Sequence, residues 1–272
     1  MSRLGLAAAE TIDVGGQRIA YRSAGSGLPL VLLHGLWADS RWWRHQLESL
    51  ADEFRVIAWD APGCGASSDP PADFGLADYA DAVAGFVRAL GIDRPHILGL
   101  SFGGGLAIEV AVRHPDLPRS LVLASAYAGW AGSLAPDVVE ARLRAALAEA
   151  DRPPEEWVAG YVPGFFGGPV SPDVVADLIG IMLDVRASGI KPMVKAFAAA
   201  DLRDGLAHLT VPTLLLYGGR DERSSLRVAH DLHARIPHAE LVVLPGVGHA
   251  TNIEAPAGFS DAVRRFLRSV ET

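Results

Sequence analysis

Cysteine is almost absent from this chain of 272 residues: Cys64 is the only one. A single thiol excludes an intramolecular disulfide and fits a reducing compartment. Long apolar runs are missing too, so no stretch is expected to span a bilayer. The first ten residues, Met1 to Glu10, hold one basic residue and a very short apolar run, which does not make a signal peptide. Positive charge is in deficit: 24 Lys and Arg against 32 Asp and Glu give a formal charge of −8. That balance argues against a nucleic-acid partner and against anionic membrane surfaces. There is no internal repeat and no low-complexity tract. Gly103-Gly104-Gly105 is not followed by Gly-Lys-Ser/Thr, so it is no phosphate loop, and no nucleotide fingerprint is present. His230 and His233 have a spacing that can ligate a metal, but no third ligand accompanies them. The expectation is a soluble cytoplasmic protein with no nucleic acid, membrane, metal or cofactor partner. Self-association as a homo-oligomer is left open.

What the chain does contain is apolar sequence in short pieces. Half of its residues are hydrophobic and 21% are charged, which allows a sizeable core. The length suits one large α/β domain, or a core with an inserted subdomain. Residues 11–24 bracket the turn Val14-Gly15-Gly16-Gln17 and predict an opening hairpin. Continuous apolar runs at 28–33, 55–59, 95–98, 121–125, 211–217 and 241–244 predict strands covered on both faces. Between them lie helical patterns. One is capped at Asp39 and Ser40; another runs 76–90 and closes at Gly91; others cover 104–113, 226–236 and 257–270. Strands alternating with helices predict a doubly wound, mostly parallel sheet. The rhythm breaks between about 130 and 209, where no strand is evident and helices are predicted at 137–150, 155–161, 172–187 and 191–200. The expected division is therefore an α/β core over 1–129 and 210–272 with a helical insertion at 130–209.

The chemistry centres on Gly99-Leu100-Ser101-Phe102-Gly103. A serine at a sharp turn from strand to helix has its hydroxyl lifted clear of the sheet and the first helical N–H groups aimed at the reacting carbon. A hydroxyl needs a base within reach. His249, in Pro245-Gly246-Val247-Gly248-His249, follows an apolar strand, and the carboxyl ends of parallel strands line the ligand crevice. His34 shares that placement but opens a glycine-containing loop, and is read as structural. His96 stands at the wrong end of its strand; the others fall on helices and turns. The acid that orients the base is assigned to Asp221, again at a strand end, with Glu222 as the fallback. Two backbone N–H groups should bind the developing oxyanion: that of Phe102, and that of Leu36 with Trp37 next to it.

These residues together resemble an α/β-hydrolase with its lid inserted between the sixth and seventh strands. The matching pieces are His34-Gly35, Asp60-Ala61-Pro62-Gly63 with Gly65 and Ser67, Gly99-Leu100-Ser101-Phe102-Gly103, Gly218-Gly219-Arg220-Asp221 and Gly248-His249. They span nearly the whole chain in the family's order. The resemblance is nearest to small bacterial enol-lactone hydrolases and carboxylesterases. It implies a cofactor-independent serine hydrolase acting on an ester, lactone or related acyl compound through an acyl-enzyme on Ser101. Three other uses of the same triad are carbon–carbon bond hydrolysis, perhydrolysis and acyl transfer. A small-molecule receptor on the same scaffold is the alternative of a different class. Trp37 beside the oxyanion loop, and Trp130, Trp157, Phe165, Phe166, Met182 and Met193 in the insertion, are candidates for the acyl pocket. About half of these are expected to face substrate, and the pocket wall is expected to be apolar. An uncharged or modestly apolar acyl group is accordingly expected to be preferred over a polyanionic one.

Overall fold

A computed structural model describes residues 8–271. The first seven residues, part of the stretch read above as no signal peptide, lie outside it. Eight strands form one sheet: β1 (Glu10–Val14), β2 (Gln17–Ala24), β3 (Leu28–Leu33), β4 (Phe54–Trp59), β5 (His96–Leu100), β6 (Ser120–Ala124), β7 (Thr213–Gly218) and β8 (Glu240–Leu244). Their spatial order is β1-β2-β4-β3-β5-β6-β7-β8. The opening hairpin is antiparallel and joins β4 antiparallel; every pairing from β4 to β8 is parallel.

The continuous apolar runs are explained by burial on both faces. Val31, Ile57, Ile97, Leu121 and Leu215 pack into one hydrophobic cluster. Their chain neighbours Leu30, Val56, Leu98, Val122 and Leu214 pack into another. This is the period of two expected of a strand. The helices Leu76–Ala89 and Phe102–Arg113 cover the first face through Tyr79, Val83, Phe86 and Leu106. The helices Arg44–Ser49 and Pro256–Glu271 cover the second through Leu47, Phe259, Val263 and Phe266. Asp39 caps the turn before Arg44 by accepting the Arg41 N–H. At the far end of the sheet, His96 is fully buried at the start of β5 beside Ser120, and burial lowers its pKa to about 4.

Between β6 and β7 there is no strand. The longer helices there are Pro136–Ala150, Pro172–Met182 and Ala187–Ala199. Proline opens the first two, where its missing N–H costs nothing. The helix expected at 155–161 is broken into short turns at Pro154–Glu156, Val158–Tyr161 and Val162–Phe165. The helix expected to reach 187 stops at Met182, and the next starts at Ala187 instead of Lys191. Arg186 at that break bonds Asp69 and the carbonyls of Gly65 and Ser67, tying the insertion to the loop after β4. No described helix is long and apolar enough to cross a membrane.

Candidate active site

The carboxyl ends of the parallel strands lie along one edge of the sheet, and the predicted residues collect there. Ser101 follows β5 directly, with φ 57° and ψ −112°. A side chain in that left-handed region is strained by about 1–3 kcal/mol, a cost that recurs at functional turns. The neighbouring glycines make the turn sterically feasible. A Cβ on Gly99 would lie 2.0 Å from the Gly103 oxygen, and one on Gly103 would lie 2.1 Å from the Leu33 oxygen. The Ser101 N–H donates to the Ala124 carbonyl at 2.9 Å, and the Ser101 carbonyl accepts from Gly104 and Gly105. The turn is thus fixed by backbone alone.

His249 and Asp221 are joined. The His249 Nδ1–H donates to Asp221 Oδ2 at 2.8 Å. The other carboxylate oxygen, Oδ1, accepts the Arg223 and Ser224 N–H groups, both at 2.8 Å. Burial pushes the Asp221 pKa up, but the His249 charge and hydrogen bond, with the Ser224 N–H, outweigh it and hold the carboxyl below its usual range. Ser125, buried at the end of β6 with φ 45°, adds its hydroxyl dipole beside Asp221. Glu222 is exposed.

Ser101 and His249 line one cavity, whose other walls include Leu36, Trp37, Trp130 and Phe165. Among the described residues no direct bond joins Ser101 Oγ to His249. Bonds of this kind often tighten only when substrate is bound. The Phe102 N–H opens its helix without an acceptor, while its ring is buried edge-on between Tyr79 and Phe197. The Leu36 and Trp37 N–H groups have no acceptor either among the described residues, and Trp37 has φ 64°. His34 holds that loop: its Nδ1–H donates to the Gly35 carbonyl at 2.8 Å, and its Nε2 accepts the Ala61 N–H at 3.0 Å. Both ring nitrogens are occupied, which leaves His34 unable to serve as a base.

Of the pocket candidates, Trp37, Trp130 and Phe165 line the cavity. Trp157, Phe166, Met182 and Met193 do not. Trp157 packs edge-on behind Trp37 at 4.8 Å between centroids. Met182 and Met193 are wholly buried in the packing of the insertion. Phe166 is partly buried against the core, its backbone close to Gly248. An apolar wall is also only part of what is found. Arg142 and Arg223 line the same space, together with Tyr127 and Tyr161. Sequence reasoning passed over these four.

It also passed over Glu254. That carboxylate accepts the N–H groups of Gly167 at 3.0 Å, Gly168 at 3.1 Å and Gly248 at 2.6 Å. It therefore clamps the insertion to the loop carrying His249. The Ala250 N–H adds a bond to the Phe165 carbonyl, and the Phe165 ring stacks on His249 at 6.1 Å. A carboxylate five residues beyond a histidine carries no recognisable spacing. Among the described residues, no group of three or more His, Cys, Asp or Glu is placed to hold a metal ion.

Known proteins share this architecture. A family model described as the alpha/beta hydrolase family matches residues 30–262. A thermophilic esterase from Thermogutta terrifontis superposes with a TM-score of 0.88 at 30% identity, covering 98% of this chain and 100% of that one. The enol-lactonase from Burkholderia xenovorans LB400 superposes with a TM-score of 0.85 at 26% identity, covering 95% and 100%. The (E)-2-((N-methylformamido)methylene)succinate hydrolase of Acinetobacter baylyi is 27% identical over 266 residues, 96% of this chain and 98% of that protein.

Proposed function

The chain belongs to the alpha/beta hydrolase family, and from that premise we propose that it cleaves an ester, a lactone or a related acyl compound through an acyl-enzyme on Ser101. The observation that carries this reading is the buried Asp221–His249 pair at 2.8 Å, opening on the same cavity as a strained Ser101. His249 Nε2 takes the proton as Ser101 Oγ attacks the carbonyl carbon. Asp221 holds the ring in the tautomer that leaves Nε2 free to do so. The Phe102 and Leu36 N–H groups, with Trp37 adjacent, bind the oxyanion, each contributing ~3 kcal/mol to transition-state stabilisation. The protonated His249 then gives its proton to the leaving group, and water removes the acyl group by the same route. The scheme uses no cofactor.

The helices between β6 and β7 act as a lid in this scheme. Trp130 and Phe165 from that segment wall the cavity, and the Glu254 clamp holds the segment against the His249 loop. Such a cover excludes bulk water and shapes the acyl pocket. The test is product release from p-nitrophenyl acetate at excess substrate, read against the amount of protein. Many equivalents of nitrophenol per chain, in a linear steady state, are expected. Release that stops at one equivalent or fewer would instead make the scaffold a receptor.

A further inference from the structure

Two guanidinium groups line a cavity that sequence reasoning expected to be apolar. Arg142 comes from the helix Pro136–Ala150 and Arg223 from the loop after β7. Both side chains are half-buried. They are fixed to each other, because Arg142 Nη2 donates to the Arg223 carbonyl at 3.0 Å. Arg142 Nη1 donates to the Tyr127 hydroxyl at 3.1 Å. Arg223 donates through Nε to the Gly164 carbonyl at 3.0 Å and through Nη1 to the Tyr161 hydroxyl at 2.9 Å. Aromatic faces support both: Arg223 lies 4.3 Å from the Tyr161 centroid and 4.5 Å from that of Phe165, and Arg142 lies 6.0 Å from Tyr127 and Trp130.

All of those partners are neutral. Among the described residues, neither arginine has a carboxylate within ion-pair distance. Glu149 is affected by the charge of Arg223 but makes no ion pair with it. Asp221, the acid on the same edge, spends both oxygens on His249 and on two backbone N–H groups. Each guanidinium carries five N–H donors. Two are engaged on each, so three on each are left for another acceptor. A planar fork beside aromatic rings, half-buried and without a counter-ion, suits a carboxylate.

We propose, resting on the acyl-enzyme reading above, that Arg142 and Arg223 bind a carboxylate carried by the substrate in addition to its scissile acyl group. The substrate class is then an anionic ester, lactone or related acyl compound of modest size. The two arginines determine specificity and take no part in proton transfer. This reverses the preference expected from an apolar pocket.

Two matched pairs of esters test the assignment. One places the charge on the acyl side: p-nitrophenyl hemiglutarate against p-nitrophenyl pentanoate. The other places it on the alcohol side: 4-carboxyphenyl acetate against 4-carbamoylphenyl acetate. In at least one pair, kcat/KM for the anionic ester is expected to exceed that for the neutral one by about tenfold or more, the scale of a charge-assisted bond. Arg142→Gln and Arg223→Gln should each lower that ratio about fivefold or more, with melting temperatures alongside. A separate measurement needs no variant: free glutarate, but not glutaramide, should bind the wild-type protein in calorimetry, and more weakly as salt is raised. Equal rates within both pairs, with glutarate binding no better than glutaramide, overturn the anion site. Ratios left unchanged in both variants overturn it as well. If no ester turns over while glutarate still binds, the acyl-enzyme reading fails and the anion site stands.

Discussion

Replacing Ser101 with alanine is expected to leave a folded protein whose ester hydrolysis falls by roughly 10⁴-fold or more, the scale seen when a nucleophile of this type is removed. The fold should tolerate the change because everything that shapes the turn is backbone. The Ser101 N–H bonds Ala124, and its carbonyl accepts from Gly104 and Gly105. Alanine suffers the same strain as serine at φ 57°, so the native state neither gains nor loses much. The measurement is steady-state kcat/KM on a p-nitrophenyl ester, with the melting temperature of both proteins. Near-normal turnover in the alanine variant would place the chemistry elsewhere.

The second large effect is expected at Asp221. Asp221→Asn should lower kcat by about 10³–10⁴-fold while changing KM little. The geometry dictates which way the amide faces. Oδ1 sits between the Arg223 and Ser224 N–H groups, which demand an acceptor. The asparagine oxygen must therefore occupy that place, and its NH₂ must face His249 Nδ1. An NH₂ there makes Nδ1 the acceptor and moves the ring proton to Nε2, the atom that has to accept from Ser101. Glu222→Gln is the control: its side chain is exposed and should alter kcat by no more than about twofold. The reverse ranking in steady-state kinetics would transfer the acid's role to Glu222.

How much of this was legible before the structure depended on how local the signal was. The strands β3 to β7 follow from short, mostly apolar runs, because both faces of the sheet are covered. The Ser101 turn is legible for a similar reason: glycine at 99 and 103 answers contacts near 2 Å that any Cβ would make. His249 and Asp221 could be chosen because strand ends, which sequence does show, determine where a side chain can reach the crevice. The insertion was less legible. Residues 155–161 read as one helix, but the chain there forms short turns at Pro154–Glu156, Val158–Tyr161 and Val162–Phe165, with proline near the start of the first and the last. The break at 183–186 is set by the bonds of Arg186 to the loop after β4, over a hundred residues away in the chain, and no local pattern encodes that. The pairing of Arg142 with Arg223 spans 81 positions and joins a helix to a loop. On its own helix, Arg142 looks like any surface arginine. The apolar pocket expected from composition was half of the wall, because aromatic rings serve here both as lining and as the platforms on which two cations lie.

Acylation of Ser101 itself is the most direct test of the account. Wild-type protein mixed with p-nitrophenyl acetate would be quenched in acid during steady state, digested, and its peptides mapped by mass. The acetyl group is expected on the peptide containing Ser101, formed at least as fast as turnover. It should be absent when Ser101→Ala is treated in the same way. An unmodified Ser101 peptide during full turnover, or acetyl found on a different residue at the same rate, would contradict the acyl-enzyme.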